Sequence, residues 1–151
     1  MTQEFFAPTD KATWGPGAWQ DEPDRVEWRH AGLPCLATRS LVGGNWCGYV
    51  AVPPGHPLHG THYDGPDVDV HGGLTYSGRC SGHICHVAQP GEPDDVWWFG
   101  FDCGHFLDVL PAMDARSRQY GLGTTRGTYK TLDYVQAETN QLAEQLARTE
   151  S

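Results

Sequence analysis

The sequence predicts an α+β domain: a curved, mainly antiparallel sheet with loop-rich connections, packed against one long C-terminal helix. Three observations predict it. Four short apolar runs are separated by turn signals. The C-terminal stretch carries apolar residues at helical spacing. Nineteen Gly and 11 Pro among 151 residues require many turns and long ordered loops.

Taken in chain order, residues 1–24 are polar and turn-rich. Trp14-Gly15-Pro16-Gly17-Ala18-Trp19-Gln20-Asp21-Glu22-Pro23 follows neither a helical nor a strand period. It reads as an arm, ordered only where its two tryptophans dock on the body. Residues 25–151 read as one domain. The four apolar runs are 26–29, 33–38, 46–52 and 96–103, with turn signals at Ala31-Gly32, Gly43-Gly44-Asn45 and Pro93-Asp94-Asp95. Gly43-Gly44-Asn45 predicts a hairpin. A fifth strand is predicted over 68–77, where apolar and polar residues alternate. A short helix is predicted around 113–120 and the long one over 128–148. In the latter Leu132, Val135, Leu142 and Leu146 form the buried stripe and Thr139 fills the missing turn. Asp133 near its start and Arg148 near its end suit the helix dipole.

Composition limits function. Hydrophobic residues make up 38% of the chain, enough for one core, and 6 Trp supply large buried area. The net charge is -9 and the 10 Lys and Arg are scattered, so duplex nucleic acid is not an expected partner. No run of 18 apolar residues occurs, so no membrane span is expected. Met1-Thr2-Gln3-Glu4-Phe5-Phe6 lacks the basic and apolar regions of a signal peptide, and a cytoplasmic location is expected. Five cysteines without an export signal point to reduced thiols or a metal site rather than a disulfide framework.

The leading candidate site is Asp67-Val68-Asp69-Val70-His71-Gly72-Gly73. With period-two alternation Val68 and Val70 face the core, and Asp67, Asp69 and His71 face away together. Gly72 and Gly73 leave room for a ligand beside His71. Two carboxylates and an imidazole in a row can bind a divalent metal or act as base and orienting partner; a plain solvated strand face gives the same pattern. The second candidate is Phe101-Asp102-Cys103-Gly104-His105. A carboxylate ending a buried strand needs a partner, and Gly104 lets His105 fold back towards it. The alternative is that Asp102 caps the turn and His105 is surface. Adjacent placement would put Asp69, His71, Asp102 and His105 around one concavity as catalytic or metal-ligating groups. Gly72, Gly73, Thr75 and Trp98 would line it for a ligand.

Three weaker clusters remain. His56, His59 and His62 lie at spacing three in a Pro- and Gly-rich loop, either a metal site or a rigid packed loop. Cys80-Ser81-Gly82-His83-Ile84-Cys85-His86 is rich in soft ligands, but neighbouring Cys85 and His86 do not easily serve one ion, so a flexible loop is expected, with a separate structural zinc site as the alternative. Residues 121–127 are Gly-rich and read as a mobile linker, with an anion-holding loop near Arg126 and Lys130 as the alternative.

The stretches Glu22–Trp28, Gly32–Leu36, Trp46–Val50, Pro54–Gly60, Val70–Ser77, Trp97–His105 and Tyr129–Val135 together resemble a family of small proteins encoded by phages and bacteria, over about residues 22–148. The resemblance implies a phage or prophage setting, where small proteins act on nucleotides or on host defence; it implies no particular reaction. Two functions follow from the residues. The first is a metal-dependent hydrolase (Zn, Mn or Mg) for a small phosphate- or nucleotide-containing substrate, a bound ion offsetting the acidic chain. The second is a non-catalytic module that binds a small molecule or a host protein.

Overall fold

The computed structural model describes residues 4–6, 10–40, 42–82, 84–86, 90 and 95–149. It is α+β. Strands β1 (Glu4–Phe6), β2 (Arg25–His30), β3 (Leu33–Arg39), β4 (Trp46–Val52), β5 (Tyr76–Arg79) and β6 (Trp97–Asp102) form one curved sheet in the order β1-β2-β3-β4-β6-β5. All its pairings are antiparallel. Two helices follow, α1 (Pro111–Gln119) and α2 (Leu132–Arg148).

The turns form for the expected reasons. Ala31 and Gly32 both have positive φ (54° and 78°), as a two-residue hairpin loop between right-twisted strands requires. The predicted hairpin at Gly43-Gly44-Asn45 joins β3 to β4, with Cys35 opposite Val50 and Arg39 opposite Trp46. The predicted turn at Pro93-Asp94 lies outside the described residues.

The sheet is buried on both faces. On one, α2 sets Val135, Thr139, Leu142, Ala143 and Leu146 against Val26, Trp28, Val50, Phe99 and Phe101. Gly48 is where the helix comes closest: a Cβ there would lie 2.4 Å from Thr139 Oγ1. The Thr139 hydroxyl is satisfied inside the helix by Val135 O at 2.6 Å. On the other face Leu36, Tyr49, Ala51, Val96 and Trp98 form a smaller core, with Tyr76, Cys80 and Ile84 packed on it.

Three expectations are corrected. The predicted strand 68–77 pairs only over Tyr76–Arg79. Gly72 and Gly73, at φ 69° and 80°, break it. Before them the chain runs along α2, and its backbone groups bond to helix side chains instead of a neighbouring strand. Asp69 N–H donates to Gln145 Oε1 (2.7 Å), Gln145 Nε2 donates to Asp69 O (2.8 Å) and His71 N–H donates to Glu138 Oε1 (2.8 Å). Val70 is nevertheless buried in the core and Asp69 exposed, because side-chain alternation needs only an extended backbone. Second, the long helix begins at Leu132 rather than Thr128. Thr128 bridges to Asp108 and gives its N–H to Leu107 O at 2.9 Å, while Thr131 caps the helix by accepting from Tyr134 N–H at 3.2 Å. Third, the segment read as a turn-rich arm contributes a strand, β1, to the edge of the sheet. The Gly-rich stretch is anchored at Thr125. Thr125 donates its N–H and hydroxyl to the buried Asp114 carboxylate at 2.8 and 2.7 Å.

Residues 10–24 lie against the body. Trp14 is buried, Trp19 meets the Tyr129 ring edge-on at 5.0 Å, and Lys11 pairs with buried Asp24 at 3.0 Å. Among the described residues no helix is long and apolar enough to cross a membrane.

Candidate functional site

Three segments converge at the N-terminal end of α2: the extended chain up to Gly73, the turn from Asp102 to Asp108, and the first two turns of the helix. Lys130, Tyr134 and Glu138 recur every four residues there. Tyr134 and Glu138 therefore share a helix face, and Lys130 reaches the same place from just before the helix.

His71 is the centre. Its Nε2 lies 2.9 Å from Asp108 Oδ2 and its Nδ1 lies 2.8 Å from the Tyr134 hydroxyl. A carboxylate only accepts, so Nε2 carries the proton and donates to Asp108. Nδ1 then accepts from the Tyr134 O–H. The result is a directed chain from Tyr134 through His71 to Asp108. Asp108 is only 3% exposed and also takes the His105 backbone N–H (3.0 Å) and Lys130 Nζ (3.1 Å). Burial alone would raise its pKa. The hydrogen bonds from His71, His105 N–H and Lys130 outweigh that and hold it below the usual carboxylate range. Burial raises the Tyr134 phenol, helped by Glu138, Cys103 and Asp108, so it is a protonated donor at neutral pH. Tyr134 is 36% exposed and forms the outer end of the chain.

His105 faces His71, with ring centroids 6.0 Å apart. Its Nε2 lies 3.3 Å from Asp102 Oδ1, within ion-pair range but off the line of a hydrogen bond. Asp102 is oriented by the Gly104 N–H (2.9 Å) and by the Thr75 hydroxyl (3.2 Å). Gly72 makes the two-histidine arrangement possible, since a Cβ there would sit 2.3 Å from His105 Nε2, and its φ of 69° also favours glycine. Around Gly73 the corresponding space is open. Gly72→Ala is therefore expected to displace the His105 ring and to destabilise by about 1–3 kcal/mol. Imidazole NMR should show His105 signals moving further than those of His71; unchanged His105 signals would mean that the contact does not set its position.

Of the expected residues, His71, Gly72, Gly73, Thr75, Asp102 and His105 are thus brought to one place. Asp69 is not. It is exposed and lines a separate open cleft with Gln141, Glu144, Gln145 and Arg148, because the extended chain runs along α2 and holds Asp69 beside Gln145, farther along the helix than His71 beside Glu138. Trp98 is not a wall of the site: it is fully buried in the opposite core, near Cys80. The loop histidines serve three different places. His56 bonds Leu146 O (2.8 Å) and Leu58 N–H (3.0 Å), His59 bonds Asp95 O (3.0 Å), and His62 lies on the Tyr63 ring at 4.1 Å.

The expected metal set does not assemble. With both nitrogens engaged by Asp108 and Tyr134, His71 has no lone pair free for an ion. Among the described residues, the one group of three with ligand atoms within 4.8 Å of one another is Cys80, Cys85 and His86. These three could hold a metal ion, although Cys80 and Cys85 are here joined as a disulfide. The expectation of reduced thiols holds for Cys35, Cys47 and Cys103 and fails for this pair. Cys85 and His86 do converge, since neither lies in a regular strand that would send neighbours to opposite sides.

Asp108 and Tyr134 were not foreseen as site residues, and Lys130 only as a neighbour of the alternative anion-holding loop. A lone carboxylate inside Phe106-Leu107-Asp108-Val109-Leu110 is the signal that marks the first of them. Together, fold and site define an α+β domain with a Tyr–His–Asp hydrogen-bond chain at the start of its long helix. No protein-family model, curated protein or solved structure matches the chain.

Proposed function

We propose that the chain is a hydrolase for a small phosphate- or nucleotide-containing molecule, a substrate class in keeping with the phage or prophage setting the resemblance implies, and that it works by acid–base and nucleophilic chemistry. The observation that carries this reading is the chain Tyr134 Oη to His71 to Asp108, at 2.8 and 2.9 Å, ending on a buried carboxylate. An otherwise weak nucleophile gains reactivity when an oriented base can take its proton. The Tyr134 oxygen attacks phosphorus while its proton passes to His71 Nδ1, and Asp108 stabilises the imidazolium that forms. The ester P–O bond breaks, and His105, facing His71, supplies the proton to the departing oxygen. Lys130, 5.8 Å above the Tyr134 ring, places positive charge beside the phosphoryl oxygens. Water then attacks phosphorus, giving a proton to the now neutral His105; the phosphotyrosyl P–O bond breaks, and His71 returns its proton to the phenol.

The test is turnover of bis(4-nitrophenyl) phosphate, 4-nitrophenyl phosphate and a panel of linear and cyclic nucleotides. Wild-type protein is expected to release product. Tyr134→Phe and His71→Gln are each expected to lose at least about 10²-fold, and quenched wild-type reactions should carry a phosphoryl mass on the Tyr134 peptide. Undiminished turnover in Tyr134→Phe, or no turnover of any panel member by the wild type, would overturn the reading.

One observation favours a second reading, a binding module without turnover. Phe106 is 93% exposed and Leu107 54%, both in the turn that ends on Asp108. An exposed aromatic of this kind suits stacking on a ligand or docking on a partner protein. Thermal shift with the same nucleotide panel separates the two readings: stabilisation that Phe106→Ala abolishes, with no product formed, favours the second.

A further inference from the structure

A second chemistry-bearing cluster lies at the edge of the sheet, where β5 ends. Cys80 follows β5 directly. Ser81 and Ile84 form an isolated bridge, with N–H to O distances of 3.1 and 3.0 Å, that turns the chain back on itself. The Cα atoms of Cys80 and Cys85 are thereby held 4.6 Å apart. One ligand atom from each of Cys80, Cys85 and His86 lies within 4.8 Å of the others, and all three side chains are half-buried. The surroundings are fixed. Trp98, itself fully buried, donates Nε1–H to Cys80 Sγ at 3.4 Å, and the His86 ring meets its edge at 5.4 Å. Arg25 of β2 holds the Cys85 carbonyl at 2.5 Å.

We propose that Cys80, Cys85 and His86 form a redox-gated site for a soft divalent ion of the zinc class, which the dithiol binds and the disulfide excludes. Two thiolates and an imidazole match the preference of Zn(II), whereas Mg(II) and Ca(II) require oxygen ligands. Three protein ligands leave the fourth tetrahedral position to solvent, so the ion is exchangeable. An N–H donated to a ligating sulfur favours its thiolate form, which gives the buried Trp98 a role. The switch balances with a disulfide oxidant. The zinc-bound dithiolate and oxidised glutathione give the Cys80–Cys85 disulfide, two glutathione thiolates and free Zn(II): one S–S bond breaks, one forms, and two electrons pass from protein to glutathione. The remaining cysteines do not compete. Burial raises the thiols of Cys35 and Cys47 to about 12, the latter helped by Asp102, and that of Cys103 is raised likewise by burial and nearby acids. None of the residues in the proposed hydrolytic site takes part.

The experiment uses the full chain, reduced and stripped of metal, and titrates Co(II) and then Zn(II). One equivalent of Co(II) is expected to give thiolate-to-cobalt charge-transfer absorption and the visible bands of a tetrahedral ion, both removed by Zn(II). Oxidised glutathione should then release the Zn(II) to a chromogenic chelator as the disulfide forms. In wild-type protein, Zn(II) should protect Cys80 and Cys85 from alkylation, read by peptide mass mapping, so the test does not depend on a variant folding. The double variant Cys80→Ser, Cys85→Ser should lose the cobalt spectrum, and Trp98→Phe should weaken binding on the order of tenfold. Absence of a cobalt spectrum in the reduced wild type, or an undiminished one in the double variant, overturns the site. Zinc retained after full oxidation overturns the gating.

Discussion

Arg39→Ala is expected to lose about 4 kcal/mol of folding stability, a large share of the roughly 5–15 kcal/mol that a domain possesses. The Arg39 side chain is 0% exposed. Its guanidinium donates to Asp24 Oδ1 (2.7 Å), Gly44 O (2.7 Å), the Tyr129 hydroxyl (2.9 Å) and Glu22 Oε1 (3.1 Å), and it lies over Trp46 at 4.6 Å and Trp14 at 5.5 Å. Removing it leaves two acids short of their main cation in a dry cage and opens a cavity between two indoles. Asp24 would lose the Arg39 guanidinium and keep the Lys11 ammonium. Arg39→Lys restores one charge but not the planar fork, and about half the loss is expected to remain. The effect should extend beyond the arm, because Glu22 also accepts the Leu132 N–H at 2.7 Å in the first turn of α2, the turn that carries Tyr134. Urea denaturation measures the loss. Trypsin adds a local readout: cleavage after Lys11 and Arg25 should precede global unfolding in Arg39→Ala and not in wild-type protein. A loss below about 1 kcal/mol would mean that the arm is held by its tryptophans alone.

The arm shows where sequence reasoning ran out. Trp14 and Trp19 announce that a turn-rich segment has something to bury, but not what receives it. The receiver is Arg39, and an arginine at the end of an apolar run looks like an ordinary strand terminus until such partners as Asp24 and Tyr129, 15 and 90 residues away along the chain, are known. Strands β2, β3, β4 and β6 were legible because each is short, apolar and closed by a turn signal, and Trp46–Val52 has the very bounds its composition suggests, whereas β1, inside the segment read as an arm, was not. The helix was legible from its stripe, and only its start was misplaced, since the Thr128 bridge to Asp108 is a tertiary contact. In the site, parity along 68–71 correctly put Val70 inward but could not say which neighbour the polar side would meet. The neighbour is a helix rather than a strand, so His71 finds Tyr134 and Asp108, while Asp69 is carried beyond them. The Asp102–His105 proximity was visible from spacing alone. Asp108 was not singled out, although a charge amid Phe106, Leu107, Val109 and Leu110 is costly unless partnered.

Asp108→Asn should be the most damaging change to the site. Three donors face the carboxylate: His71 Nε2–H, the His105 N–H and Lys130 Nζ. An amide offers one oxygen and one NH2 in the same volume, so a donor must confront a donor. If the oxygen stays with His71 and His105, the NH2 meets the Lys130 ammonium. If it turns to Lys130, the NH2 meets Nε2, and the neutral imidazole moves its proton to Nδ1. His71 would then donate towards Tyr134 instead of accepting from it, and the phenol would lose its base. Turnover of the proposed phosphate ester is expected to fall by about 10⁴-fold, the size of effect a wrong tautomer has in a serine-protease triad. Stability is expected to fall by about 2–3 kcal/mol at neutral pH. The pH dependence has a definite sign. Because the folded-state pKa of Asp108 is depressed, the unfolded chain binds the proton more readily. Its contribution is therefore present above the ordinary carboxylate range, and it is lost as pH falls through about 4 and below. The gap in urea midpoint between wild type and Asp108→Asn should thus be widest near pH 7 and shrink by pH 3. Nitrogen-15 NMR of the imidazoles reads the tautomer directly. A variant that kept the Nε2–H form of His71, with the same midpoint gap at pH 7 and pH 3, would show that Asp108 neither orients His71 nor carries its charge into the folded state.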